Sequence, residues 1–523
     1  MDNAILIHPA DNVAIARVAL KPGEKARGVE LREPVRALQK ISLVRIPAGA
    51  PVIRYGTQIG VASADIEPGS WVHTQNLAFH PGQQDYRFAS EQPPIPPIPQ
   101  GFTTFEGYRR QDGRVGTRKY LAVISTVNCS GHVPPLVRDR FRTIREDYPG
   151  IDGILAISHQ TGCGITMGNE SHRTLQRTFA NLAKHPNIAG LVFVGLGCEQ
   201  LDPSGMVGSK LIQLNDLTVQ GGQGRPLPTV DDGPLLVSLQ SHGGTEKTVN
   251  EVCRYLQTMI PRVAAIKRTP IPLSEIILGT NCGGSDAFSG ITANPAVGAA
   301  VDMLVALGAS AVLAETPETA GAEHILTRRA RTKEVGEELV RLIKWWEAYY
   351  AAHTFLHPTP SLDNNPSVGN KDGGLTTITE KSMGAVAKAG TTMLNHVLQY
   401  GALIPRNAGL CFMDTPGKDS SSMTGLVSGG ANIGVFTTGR GNMAGWAPAP
   451  TIKICTNTPT FMRLEGDMDL NAGGIIDGTH TIQDVGFAIL AMIRDVASGH
   501  RTRSEILGAD TSCFDPWYFG ASV

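Results

Sequence analysis

Short apolar runs alternate with polar, glycine-rich turns along this chain, and their spacing changes once. In the first ninety residues the runs are brief and rich in β-branched residues: Ala4-Ile5-Leu6-Ile7, Val13-Ala14-Ile15-Ala16, Val52-Ile53-Arg54-Tyr55 and Ile59-Gly60-Val61-Ala62. Lys21-Pro22-Gly23-Glu24 and Glu67-Pro68-Gly69-Ser70 punctuate them as turns, which predicts a small β module over residues 1–90. Gln92-Pro93-Pro94-Ile95-Pro96-Pro97-Ile98-Pro99 is proline-dense, so residues 91–102 are expected to be an extended, stiff linker. Beyond it, strand-length apolar runs alternate with helical stretches. That pattern predicts a large α/β body with mainly parallel sheets, in two parts, 103–270 and 271–523.

Four of these runs end alike. Tyr120 to Val127 leads to Cys129, Gly153 to Ser158 to Cys163, Leu191 to Leu196 to Cys198, and Glu275 to Gly279 to Cys282. Ligands of parallel α/β sheets bind beyond the C-terminal strand ends, so the four turns are expected to converge at one sheet edge. Cysteine also behaves as a small buried hydrophobe, a reading that suits one or two such cases better than four. The turn Thr280 to Asp286 adds Asn281, Ser285 and Asp286, and a helix is expected from Asn294-Pro295.

Farther on, Ser310 to Thr316 reads as a strand with Glu315 at its end, and Val335 to Tyr350 as an amphipathic helix carrying Trp345, Trp346, Tyr349 and Tyr350. His353 to Gly374 is loop-like and holds Lys371, and Glu380 to Ala389 is helical. Leu410 to Gly417 and Asn432 to Gly441 are strand-to-turn passages, the second ending at Arg440. Lys453 lies inside the apolar strand Ile452 to Thr458, where an unpaired ammonium is costly, so it sits at an edge or has a function. Asp467 to Gly473 packs Asp469 and Asn471 close together. The last helix is expected from Thr481, capped by Asp484, to Ser498, with Gly499 ending it.

A net charge of -1 argues against a nucleic-acid or membrane-surface partner in bulk. No apolar run approaches the roughly 18 residues of a membrane span, and the first residues lack the basic and apolar regions of a signal peptide. Eight cysteines without a CxxC pair suggest cytosolic thiols, hence a cytoplasmic protein. Phosphate-loop, dinucleotide, GxSxG and HExxH motifs are all missing. The remaining inventory of Arg, Lys, Asn, Asp, Thr and Cys suits a small polyhydroxylated anion.

On these residues the chain resembles the altronate/galactarate dehydratase family of sugar-acid hydro-lyases. The matching passages are Arg54-Tyr55-Gly56, Gly113 to Arg118, His159 to Gly164, Gly195 to Glu199, Cys282 to Gly298, Asn365 to Gly374, Phe436 to Gly441 and Asp467 to Gly473. The resemblance implies an N-terminal SAF-type β domain, a homodimer, and a divalent metal, iron(II) first and manganese(II) second. Trp71-Val72-His73-Thr74-Gln75-Asn76-Leu77 is similar to the altronate-type WVHTHNL, with Gln75 in place of the second histidine. Phe412 to Gly417 is similar to FMDTPG of the same type. The implied reaction is therefore dehydration of D-altronate to 2-dehydro-3-deoxy-D-gluconate, with galactarate as the alternative. Removing water from a 2,3-dihydroxy acid requires a base at C2, an acid at the C3 hydroxyl and a cation on the carboxylate.

The candidate proton-transfer residues are His73, His159, Lys453 and Asp469. Those for substrate are Asn281, Ser285, Asp286, Lys371, Arg440 and Asn471, and those for metal His159, Cys163, Cys198 and Cys282. Three rival readings stand beside this one: a sulfolactate sulfo-lyase on the same scaffold, an iron–sulfur dehydratase using Cys129, Cys163, Cys198 and Cys282, and a non-catalytic sugar-binding protein.

Overall fold

The computed structural model describes residues 2–80, 85–202, 212–213, 235–353, 365–509 and 513–519. Its N-terminal module is built from short antiparallel strands. One sheet joins Ala4–Ile5, Val13–Ala16, Lys40–Ser42 and Trp71–Val72, and another joins Pro51–Arg54, Thr57–Ala62 and Leu77–Ala78. Two small apolar clusters fill it, one around Ile41 and Leu31, the other around Ile59 and Val52. The proline-rich stretch that follows has no regular structure, and Ile95 and Ile98 stand exposed on it. Just before it, Ala89 and Glu91 donate backbone N–H groups to the carbonyls of Thr327 and Arg328.

Two fully parallel sheets form the body. The first has five strands, ordered Gly153–Ile157, Tyr120–Ser125, Ile188–Gly195, Leu235–Ser238, Ile212–Gln213. The second has seven, ordered Leu394–Leu398, Gly409–Met413, Ser310–Leu313, Ile277–Cys282, Ile433–Thr438, Thr451–Cys455, Leu470–Asn471. Most of their strands are buried along their whole length because both faces are covered, as parallel sheets require. Helices Ala293–Ala306 and Ile482–Ala497 cover one face of the large sheet. Helices Glu170–Leu182 and Asp419–Ser428 lie in the apolar layer it shares with the small sheet. Val133–Arg140 and Thr245–Ala265 close the outer face of the small sheet. A three-stranded antiparallel sheet, Thr104–Arg109 with Val115–Gly116 and Thr269–Pro272, stands where one half passes into the other.

The expected helix from Thr481 is present over Ile482–Ala497, with its Thr481–Asp484 capping box and Gly499 at φ +113°. Two expectations change. The central strand does not stop at Gly279. It runs through Cys282, because Asn281 and Cys282 still pair with Phe436 and Thr437 on the neighbouring strand. The four cysteine-bearing strands also do not share a sheet: those preceding Cys129, Cys163 and Cys198 are in the small one, and Cys282 is in the large one. Part of the expected loop, residues 354–364, lies outside the described residues; Ser367 caps a short helix, Val368–Asp372, within the rest. All eight cysteines are free thiols. Among the described residues, no helix is long and apolar enough to cross a membrane.

Candidate active site

Ile277–Cys282 is the middle strand of the large sheet, flanked by Ser310–Leu313 and Ile433–Thr438. The chain builds outward on one side of it before returning to the other. The switch in winding therefore falls beside Cys282, where a parallel sheet opens a crevice.

Beyond these strand ends lies a buried group of acids and amines. Cys282 Sγ is 3.4 Å from Glu315 Oε2 and 3.8 Å from Glu318 Oε2. Lys388 Nζ donates to Cys282 Sγ at 2.7 Å and to Glu315 Oε2 at 2.8 Å. Lys381 Nζ donates to Glu318 Oε1 at 2.6 Å and to Asn365 Oδ1 at 2.9 Å. Both lysines come from one helical stretch, Ile378–Val386 with its Ala387–Ala389 extension, and lie two turns apart on one face. Glu315 reaches the group through an unusual backbone. Its φ of +69° and ψ of +62° are left-handed, a conformation that costs a non-glycine residue about 1–3 kcal/mol. The Thr415 hydroxyl holds it by accepting the Glu315 N–H at 2.8 Å. The carboxylate is thereby aimed back at the central strand, where Oε2 accepts the Cys282 N–H at 3.0 Å.

Asp419 begins the helix Asp419–Ser428 and is only partly buried. A Cβ on Gly283 would lie 2.2 Å from its Oδ2 and 2.6 Å from the Phe436 ring, so only glycine lets this carboxylate approach the strand end. Burial, reinforced by Glu318, pushes Asp419 up to about 6 against the pull of the neighbouring lysines. Burial likewise raises Glu315 to about 7 although Lys388 opposes it, and raises the Cys282 thiol well above its ordinary range. Lys453 Nζ lies over the stacked rings of Phe436 and Trp446, 4.0 and 4.7 Å from their centres. Its ammonium has no hydrogen-bond partner among the described residues. Burial pushes it down to about 7, with Asp419 working against that shift. Groups that titrate near neutrality in one place are a mark of acid–base chemistry.

Cys282, Glu315 and Glu318 also offer three ligand atoms within 4.8 Å of one another. Thiols and carboxylates are both metal-ligand types, and Glu315 Oε1 is buried without a partner among the described residues. These donors fit a metal ion by their chemistry, and Cys282, Glu315 and Glu318 are the residues that would hold it.

The residues expected from sequence are distributed over several places. His73 Nε2 donates to the Lys371 carbonyl at 2.8 Å, so it ties the N-terminal module to the loop that carries Asn365 and Asn370. Lys371 thus meets it through its backbone. Asn281 Oδ1 accepts from Ser422 at 2.7 Å, and the Ser285 carbonyl accepts from Asn370 at 2.9 Å, which places both in the walls of the group. Asp286 is saturated by Ser289, Phe288, Thr456 and Asn457, and pins the turn. Arg440 pairs with Asp372 at 2.6 Å, half-exposed. Asp469 accepts the backbone N–H groups of Lys453 and Arg503, and Asn471 bonds Thr458 and Gly473, so both tie local backbone together. Asp414, from the altronate-type passage, holds Thr316 and Trp346.

The expected metal set is divided. His159, Cys163 and Cys198 lie at the small sheet and Cys282 in the large one, and no three of them come within 4.8 Å. His159 is buried against Phe179, and burial lowers it to about 4. Glu318, Lys381, Lys388 and Asp419 were not singled out from sequence. The two lysines seven apart in a stretch of small apolar residues were the available signal.

Three family models cover this architecture in succession. The altronate/galactarate dehydratase SAF domain matches residues 2–80, the D-galactarate dehydratase/altronate hydrolase second domain residues 107–264, and the D-galactarate/altronate dehydratase C-terminal model residues 273–521. Galactarate dehydratase (L-threo-forming) of Escherichia coli (strain K12) is 37% identical over 507 residues, 95% of this chain and 93% of that protein. The chain belongs to the altronate/galactarate dehydratase family. Altronate dehydratase of Bacillus subtilis (strain 168) is 32% identical over 511 residues, 97% of each chain, and that of Escherichia coli (strain K12) is 34% identical over 481 residues, 91% of each. This member of the family is accordingly a hydro-lyase, its N-terminal module is a SAF domain, and these three relatives are named for two different sugar acids.

Proposed function

We propose that the enzyme dehydrates a hexonate, D-altronate, to 2-dehydro-3-deoxy-D-gluconate. The observation that carries this choice is the charge balance around Cys282. Lys381 is matched by Glu318, Lys388 by Glu315 and Arg440 by Asp372, while Lys453 and Asp419 face each other electrostatically. A bound substrate adds its own negative charge to a balanced site. A hexonate brings one carboxylate and a hexarate two, so the hexonate leaves less charge uncompensated in a low-dielectric setting. The 37% identity to a galactarate dehydratase favours the second reading, a hexarate substrate.

In this reading Asp419, partly accessible and raised toward neutrality, takes the C2 proton. The Lys388 ammonium gives its proton to the C3 hydroxyl, which leaves as water, and the resulting enol tautomerises to the 2-keto-3-deoxy acid. Lys381, fixed by Glu318 and Asn365, keeps the Glu318 side of the pocket rigid. Iron(II) or manganese(II) on Cys282, Glu315 and Glu318 would supply a Lewis acid for the substrate carboxylate. The test is a panel of hexonates and hexarates with either metal, scored for keto-acid product. Turnover of D-altronate is expected, and rapid turnover of galactarate with none of altronate would overturn the choice of substrate.

A further inference from the structure

Four of the eight cysteines, Cys253, Cys282, Cys411 and Cys455, are buried. Cys129, Cys163 and Cys198 are exposed, which is unusual for a residue type that is normally inside. They are also neighbours by topology. Tyr120–Ser125 lies between Gly153–Ile157 and Ile188–Gly195 in the small sheet, all parallel, so the three cysteine turns emerge side by side from one edge.

Hydrogen bonds bind these turns to one another. The Asn128 N–H donates to the Thr161 carbonyl at 2.9 Å, and the Gln200 N–H to the Gly162 carbonyl at 2.9 Å. Thr126 Oγ1 donates to Glu199 Oε1 at 2.7 Å, and Glu199 Oε2 accepts the Gly197 N–H at 2.7 Å. A Cβ on Gly162 would sit 2.3 Å from the Thr126 carbonyl oxygen and 2.8 Å from Val127 Cα. Glycine there, at φ +98°, is what lets the Cys163 turn lie directly on the Cys129 turn. Among the described residues the thiols are hardly engaged: Cys129 meets its neighbour Asn128 at 3.5 Å, and Cys198 meets Gln240 at 3.9 Å. A framework this specific, holding three accessible soft donors, is built for something other than packing.

Their spacing and their chemistry together point to the ligand. Ligands about 2.3 Å from one tetrahedral ion lie about 4 Å apart, whereas these three sulfurs are not all within 4.8 Å of one another. A cluster, with several irons and sulfides between its cysteine ligands, holds them farther apart. We propose that Cys129, Cys163 and Cys198 ligate an iron–sulfur cluster, a site separate from the Cys282 group. Each thiol gives up its proton as it binds iron. Three protein ligands leave one iron of a four-iron cube with an open position for an oxygen ligand. The assignment does not depend on which sugar acid is dehydrated.

The test uses the full chain, purified without oxygen and incubated with equal amounts of ferric and ferrous iron, and with sulfide, so that two ferric and two ferrous ions are available per cluster. Broad visible absorbance and about four acid-labile sulfides per chain are expected, with about four irons beyond any ion held at the Cys282 group. Cys129→Ser, Cys163→Ser and Cys198→Ser should each lose most of the sulfide and absorbance, while Cys282→Ser keeps both. In the unaltered protein, iodoacetamide should modify these three cysteines only after a chelator has stripped the iron. Iron or zinc without sulfide, or equal alkylation of the three thiols before and after stripping, would overturn the proposal. All these readouts are independent of turnover.

Discussion

Asp419, the proposed base, owes its raised pKa to its position. It sits at the start of a helix, partly open to solvent, with Glu318 and buried surroundings raising it to about 6. A general base works only when deprotonated, so raising it from the ordinary carboxylate range moves the acid limb of the rate profile upward. kcat/KM is expected to climb as pH rises through about 6 and to level off above it. Asp419→Asn should lower kcat by about 10²–10⁴-fold and leave the thermal midpoint unchanged or raised, since a carboxylate that burial disfavours has been removed. A variant that keeps more than a tenth of the activity, with the same acid limb, would take Asp419 out of the chemistry. Gly283 belongs to the same device, because any side chain there meets the Asp419 carboxylate.

The helix Ile378–Val386 works in two directions. Lys381 faces the acids of the large sheet, while Glu380, the residue before it, faces the SAF domain. Glu380 accepts from Lys40 at 3.0 Å and from Arg54 at 2.5 Å, and Thr376 donates to its other oxygen at 2.6 Å, all buried. Lys40 also donates to the Gly374 carbonyl at 2.6 Å, and Arg54 to the Ala287 carbonyl at 2.6 Å, so two basic residues of the small module grip both the helix and the Cys282 turn. Glu380→Gln leaves two buried cations without their anion, a loss of about 3–5 kcal/mol. Denaturant unfolding should show it, together with a fall in kcat as Lys381 shifts; an unaltered unfolding midpoint would count against this docking role.

At the scale of the molecule, that ion triad makes the union of SAF domain and body sensitive to acid. Burial by itself would raise Glu380, yet Lys40 and Arg54 outweigh it and hold the carboxyl near 2, against an ordinary 4.5. A depressed carboxyl contributes stability that is fully present above about 4.5 and is lost as pH falls toward 2. The stability difference between the wild type and Glu380→Gln is therefore expected to be constant from pH 7 to about 5 and to shrink below 4.5. A difference of the same size at pH 2 would show that the charge pair is not its source. Because the triad is shielded from solvent, added salt should change that difference little.

Local pattern alone determined much of this protein. The apolar runs from Tyr120 and from Ile452 form strands, Tyr120–Ser125 and Thr451–Cys455, as a sheet covered on both faces requires; the second run ends sooner than expected, because Asn457 caps a helix that begins at Thr458. Thr481, Asp484 and Gly499 specify their helix ends through bonds within a few residues. Motifs such as His159 to Gly164 and Cys282 to Gly298 carried the family. Tertiary structure decided how those pieces meet. Strand order depends on pairings between residues far apart in the chain, and it separated Cys282 from the other three cysteine turns. Burial turned Lys381, Lys388, Glu318 and Asp419, which in sequence resemble ordinary solvated charges, into one coupled group. A charge becomes chemically distinctive only when a partner and the exclusion of water reach it together, and for these residues both come from distant parts of the fold.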